Sequence, residues 1–250
     1  MVVKELKNLL AFLTVLPVTM DKDMLSDCAR NMWVFPLIGA FIGLLAGVFG
    51  WVAYQFLPGI VVGPLVLALL LLITGLHHTD GLLDFGDGVM AHGTAEHKIE
   101  VMHDQLTGAG GLSMGIMTML ITALAIGQLK ISVIIGGIIA VEVSAKLAMV
   151  VMAWAGKSVH QGMNSLFLEA MHGSKGNLRL IVAVVISFAV ALPLLGWAGA
   201  FTVLAAVITS LVMVAIAHEH FNGVTGDVFG ATNEITRMVC VIVLLAVVLR

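Results

Sequence analysis

The chain has 250 residues, of which 60% are hydrophobic and 11% charged, with a formal net charge of −3. Soluble domains carry about 25% charged residues, so the composition excludes an ordinary soluble domain and points to an integral membrane protein. Cys28 and Cys240, far apart and without a C-x-x-C spacing, exclude a disulfide framework and a thiolate metal site and read as small buried residues.

Residues 4–16 come first, with charges at one end and an apolar remainder too short to span. No small-x-small cleavage site precedes TMDKD (19–23), so an interfacial N-terminal helix is expected rather than a signal peptide. About seven spanning helices follow, over 32–56, 60–79, 111–129, 131–154, 178–196, 199–217 and 235–249. Pro58 and Gly59 separate the first two, and in the short last one Arg237 is expected to snorkel towards the surface. The fold class is therefore all-α, a polytopic helical bundle in membrane lipid, with residues 1–250 as one domain. Gly39, Gly43 and Gly47 are spaced for close helix packing, within the chain or in a homo-oligomer.

With the N-terminus cytoplasmic, that side receives Lys4, Lys7, Lys22, Arg30, Lys98, Lys157, Lys175, Arg179 and Arg237, and the other only Lys130 and Arg250. Lys146 lies within a span four residues after Glu142, where the two can pair on one helix face. The same orientation places every histidine, and every acidic residue except Glu142, at the cytoplasmic face. Chemistry is expected in the loops 80–110, 156–178 and 218–236, and no nucleic-acid partner is expected.

The stretch TGLHHTDGLLDFGDG (74–88) carries Asp80, Asp84 and Asp87 at i, i+4 and i+7, within about 60° of one another on a helix. Carboxylates roughly 6 Å apart repel by about 3 kcal/mol at an effective dielectric near 20, so a divalent cation is the economical partner. Oxygen ligands favour Mg²⁺, Mn²⁺ or Ca²⁺. The competing reading is a solvated helix end; Gly81, Gly86 and Gly88 argue for close approach of a ligand or another backbone. Glu96, Glu100 and Asp104 repeat every four residues and suit a second metal or a general base. His77 and His78 diverge by about 100° on a helix, so at most one faces such a site, while His92, His97 and His103 read as surface residues. In HFNGVTGDVFGATNE (220–234), Gly223, Gly226 and Gly230 allow turns that cradle an anion, and Asp227, Asn233 and Glu234 offer polar ligands. Capping and turn chemistry accounts equally well for Thr225, Asp227 and Asn233.

Those segments resemble the cobalamin synthase family, the adenosylcobinamide-GDP ribazoletransferases. HHTDGLLDFGDGV (77–89) is similar to the family's H-x-D-G-x-x-D-x-x-D-G, EVMHDQLTGAGG (100–111) to E-I-M-K-D-S-R-x-G-x-x-G, and GVTGDVFGATNE (223–234) to G-x-T-G-D-x-x-G-A-x-x-E. LLAFLTVLPV (9–18) and FPLIGAFIGLLAG (35–47) resemble its N-terminal segment and first span. Val15, His103 and Leu106 stand where the family usually carries basic residues, so a metal would have more substrate charge to neutralise.

The resemblance implies a reaction in which a ribose hydroxyl of α-ribazole, or of its 5′-phosphate, attacks the cobinamide-linked phosphorus of adenosylcobinamide-GDP. GMP leaves, and adenosylcobalamin or its 5′-phosphate forms. A more distant likeness, of DFGDGVMAH (84–92) to the opening motif of the CDP-alcohol phosphotransferases, suggests the roles. By that analogy Asp84, Asp87 and Glu100 hold Mg²⁺, Asp80 joins them or contacts substrate, and Asp104 is the base. Substrate contacts then fall on His78, Gly81, Gly88, His92, Thr225, Asp227, Asn233 and Glu234. The alternatives are a CDP-alcohol phosphotransferase, against which His92 in place of Arg argues, and a metal- or proton-coupled transporter suggested by Glu142 and Lys146. The localisation implied is a prokaryotic cytoplasmic membrane with the active-site loops inside.

Overall fold

The computed structural model describes residues 2–16 and 24–248, all helices and turns. Lys22 and the rest of TMDKD, Pro17 and Val18 of the N-terminal motif, Leu249 at the end of the last expected span, and Arg250 lie outside the described residues.

In chain order the helices are α1 (Val2–Leu13), α2 (Met24–Arg30), α3 (Phe35–Ala53, entered through a 3-10 turn at Met32–Val34), α4 (Gly59–Ile73), α5 (His77–Met90) and α6 (Ala95–Met102). Then come α7 (Ala109–Gly127), α8 (Ile134–Ala155), α9 (Met163–His172), α10 (Gly176–Leu195), α11 (Trp197–Phe221) and α12 (Gly226–Val248). Among the described residues six helices are long and apolar enough to cross a membrane: α3 with its leading turn, α7, α8, α10, α11 and α12. The bent pair α4–α5, taken as one span, makes seven, and its apolar limb is α4.

Helix α8 is the axis of the bundle, with every residue from Gly137 to Ala153 buried among α3, α10, α11 and α12. Leucine and isoleucine side chains such as Leu44, Leu120, Ile181 and Ile208 on the outer helices are exposed, as a lipid-facing surface requires. The glycines at 39, 43 and 47 serve packing within the chain, laying α3 on α8. A Cβ at Gly43 would stand 2.7 Å from Ile139 Cα and 2.8 Å from the Ile138 carbonyl oxygen. Helix α1 buries Leu9, Ala11 and Leu13 against the bundle while Lys4 and Lys7 are exposed, the pattern of an interfacial helix.

Two expected boundaries move, and both matter for the site. The span expected over 60–79 ends at Ile73: Gly75 and Leu76 adopt left-handed backbone (φ 68° and 63°), and α5 leaves at 98° to α4. The acidic helix therefore lies across the end of the bundle instead of prolonging a span. The last helix starts at Gly226, not 235, so most of the stretch expected to be a glycine-rich loop is helical and Gly230 sits inside α12. Arg237 does not snorkel; it is fully buried.

Because the α3–α8 contact leaves no room for a side chain at residue 43, Gly43→Leu should destabilise the protein by about 2 kcal/mol or more. The lipid-facing Leu44→Ala should stay within about 0.5 kcal/mol. Thermal unfolding in detergent, followed by near-UV circular dichroism, compares them; equal effects would contradict this packing.

Candidate active site

Helix α5 lies against the first turns of α7 and α12, and its glycines allow the approach. A Cβ at Gly81 would stand 2.8 Å from the Asp227 carbonyl oxygen and 2.9 Å from Asp227 Cα, and one at Gly86 2.9 Å from Gly111 Cα. Gly88 is buried under Met102 and Phe221. Gly81 and Gly88 are thus packed against protein rather than open to solvent.

This packing gathers Asp80, Asp84 and Asp87 of α5 with Asp227 of α12. Asp80 is exposed and the other three are half-buried. Burial first, and then the charges of Asp227, Asp80 and Asp87, push the Asp84 carboxyl up to about 7. Asp87 is already engaged: its Oδ2 accepts from the Gly108 amide at 2.7 Å and its Oδ1 from the Gly111 amide at 2.8 Å, capping the start of α7. Asp227 Oδ2 accepts from the Thr225 hydroxyl at 3.3 Å and lies 4.0 Å from His103 Nε2.

The other acidic group lies on α6, which packs against α5, and in the turn after it. Glu100, on α6, is exposed and faces His97 Nδ1 at 3.5 Å. Asp104 is exposed in the turn after α6, where its Oδ1 accepts from the Leu106 amide at 3.2 Å. His92 is exposed just beyond α5. Among the described residues no three His, Cys, Asp or Glu side chains are placed to hold one ion as they stand. The donors on α5 nevertheless suit Mg²⁺ in kind, since that ion takes one or two carboxylates and completes its shell with water and phosphate oxygens.

Residues read as surface histidines enrich this face. His103 approaches Asp227, and its ring centroid lies 6.3 Å from that of His160. Lys98 Nζ donates to His220 Nδ1 at 2.9 Å, and the Lys157 amide donates to His218 Nε2 at 3.2 Å. Sequence spacing carries no signal for these meetings, which join α6, the end of α11 and the segment before α9.

Two to three turns into α12 the chemistry changes. Asn233, Glu234 and Arg237 are fully buried with Glu142 and Lys146 of α8. Arg237 holds Glu142 with two nitrogens, Nε at 2.5 Å and Nη2 at 3.1 Å, and also donates to Glu234. Lys146 Nζ donates to Asn233 Oδ1 at 2.6 Å, and Asn233 Nδ2 to Glu234 Oε1 at 3.0 Å. Glu142 and Lys146 are 3.9 Å apart, so the pairing expected from their spacing exists, but Arg237 is the closer partner of Glu142. Two acids and two bases balance, which is what lets ionic groups persist there. The i, i+3 spacing of Glu234 and Arg237 was a second sign of this network in the sequence, beside the i, i+4 spacing of Glu142 and Lys146. Asn233 and Glu234 thus lie beneath the site. His78 is buried beside them; its Nδ1 has no hydrogen-bond partner among the described residues, and burial, then the charges of Lys146 and Arg237, hold its imidazole well below the usual range and hence neutral.

The family model described as cobalamin-5-phosphate synthase matches residues 5–245. The adenosylcobinamide-GDP ribazoletransferase of Methanococcoides burtonii is 31% identical over 96% of this chain and 90% of its own length. That of Methanosarcina barkeri is 32% identical over 95% and 90%, and that of Thermococcus kodakarensis 32% identical over 93% and 94%. No solved structure matches.

Removing one member of the buried network strands the others, so Arg237→Met should lower stability by about 3–5 kcal/mol by leaving Glu142 and Glu234 unpaired. Denaturant unfolding in detergent measures this, and a loss below about 1 kcal/mol would contradict the pairing described.

Proposed function

The chain belongs to the cobalamin-5-phosphate synthase family, and we propose that the carboxylates gathered by α5 and α12 are the centre of its reaction. It acts as an adenosylcobinamide-GDP ribazoletransferase in cobalamin biosynthesis. A hydroxyl of α-ribazole or its 5′-phosphate forms the new O–P bond at the cobinamide-linked phosphorus. The diphosphate bridge breaks, GMP takes the bonding electrons, and a base takes the hydroxyl proton.

The observation that carries this placement is Asp84: half-buried among Asp80, Asp87 and Asp227, its carboxyl is pushed up to about 7 by burial and by charges of its own sign. Asp80, Asp84 and Asp87, with Asp227 and by resemblance Glu100, would hold Mg²⁺. The ion would supply neutralisation of the diphosphate. Asp104, in its exposed turn, is the group we assign to take the hydroxyl proton. Lys98 and His103 offer hydrogen-bond donors on the same face, where residues 103 and 106 lack the family's basic side chains. Thr225 and His92 remain candidates for substrate contact. Asn233 and Glu234 act as positioning residues, holding α12 so that Asp227 meets Gly81.

The site face is assigned to the cytoplasm of a prokaryotic cell. Arg237 leaves the charge comparison because it is buried, yet Lys4, Lys7, Arg30, Lys98, Lys157, Lys175 and Arg179 still oppose Lys130. Transport is disfavoured because Glu142 and Lys146 belong to a closed, fully paired group.

Purified protein given adenosylcobinamide-GDP, α-ribazole 5′-phosphate and Mg²⁺ should release GMP and form cobalamin 5′-phosphate; CMP release from a CDP-alcohol instead would overturn the reading. Asp84→Asn should lower turnover by about 10²-fold or more while the protein elutes as the wild type does. Asp104→Asn should lower kcat by about 10²-fold with little change in KM, and a change confined to KM would remove it from the base role.

A further inference from the structure

Behind the carboxylates lies a cavity of about 410 Å³, lined by α1, the starts of α2, α3 and α9, Met149 of α8 and the inner side of the α5–α12 contact. Phe12, Phe35 and Phe167 form one aromatic group along it, with ring centroids 5.2–6.2 Å apart, and Phe229 of α12 adds a fourth ring. Among the described residues its polar lining is His77, His78 and Asn164, none of them permanently charged. Asn164 is pinned, donating to the Val224 carbonyl at 2.8 Å and to Ser158 Oγ at 3.0 Å, whereas His78 Nδ1 is buried and has no partner among the described residues.

The position of the cavity matters as much as its lining. Gly226 and Gly230 of α12 form part of its wall; Gly226 directly precedes Asp227, and a Cβ at Gly230 would stand 3.3 Å from Gly81 Cα. His77, also lining, is three residues before Asp80 and shares its side of α5. A ligand in the cavity would therefore end beside the carboxylates.

Ligand pockets of about 300–1,000 Å³ with apolar walls and a few polar groups take flat, largely uncharged molecules. A corrin macrocycle is too large for this one, and a guanosine diphosphate too charged. The acceptor carries an uncharged aromatic bicycle with one free ring nitrogen. We propose that the cavity is the acceptor-base site, holding the benzimidazole of α-ribazole against Phe12, Phe167 and Phe229 with its ribose hydroxyl delivered to the α5–α12 carboxylates. This rests on the reaction assigned above.

The test measures binding and turnover separately. Full-length protein in detergent is dialysed against labelled 5,6-dimethylbenzimidazole, and KM is measured for each substrate in the wild type, Met163→Trp and Phe167→Ala. Met163 is 58% exposed at the cavity, so its replacement fills space without disturbing a core, which keeps the test decisive if Phe167→Ala fails to fold. The base should bind saturably to the wild type, and each folded variant should weaken it by about tenfold. KM for α-ribazole 5′-phosphate should rise by about the same factor, while KM for adenosylcobinamide-GDP stays within about twofold. A rise in KM for adenosylcobinamide-GDP alone, or base binding unaltered in Met163→Trp, overturns the inference. So does loss of copurified phospholipid from Met163→Trp with base binding intact, which would make the cavity a lipid site. If the wild type releases no GMP, the reaction assignment fails, and base binding by dialysis still decides the cavity.

Discussion

An ionised side chain is costly in hydrocarbon unless it is paired or brought back to water, and this chain answers that constraint in two ways. Glu142, Lys146, Glu234 and Arg237 remain inside the bundle because two acids meet two bases with Asn233 between them. Among the described residues Asp80, Asp84 and Asp87 have no such partners, and the backbone turns at Gly75 and Leu76 before they begin. The 98° bend between α4 and α5 carries them across the end of the bundle, where water and a soluble substrate can reach them.

Helix α12 joins the two solutions. Its first turn brings Asp227 against Gly81, and its second to fourth turns supply Asn233, Glu234 and Arg237 to the buried network. A disturbance of the network would shift α12 and with it the spacing of Asp227 and Asp84. Asp87 makes a similar link in the other direction, binding the start of α7 through two amides while adding its charge to Asp84. The fold thus assembles like charges on a scaffold of unlike ones, and the proposed function places a cation among the assembled carboxylates.

Much of this was legible from residue order. Composition announces the membrane, i, i+4, i+7 spacing puts three aspartates on one face, and glycines four apart mark α3 for close packing, although not which helix it packs on. The misses share a cause: hydropathy averaged over a span-length window registers apolar content but not partners distant in the chain. It could not show that residues 226–234 are helical, because their polar groups are stabilised by Glu142 and Lys146 some ninety residues earlier. For the same reason Arg237 looked like a surface cation, and nothing in the sequence paired His103 with His160. At Asp80 the error was one of direction, since an apolar run reveals where a span can lie but not the angle at which the chain leaves it.

The claim that these carboxylates await a cation is tested most directly by calorimetric titration of Mg²⁺ into metal-free, full-length protein at pH 6 and pH 8. With Asp84 raised to about 7, a proton competes with the ion at the lower pH and hardly at all at the higher. Affinity should therefore be about tenfold weaker at pH 6, with close to one proton released per ion bound there. Equal affinities at the two pH values, with no proton released at either, would contradict the account.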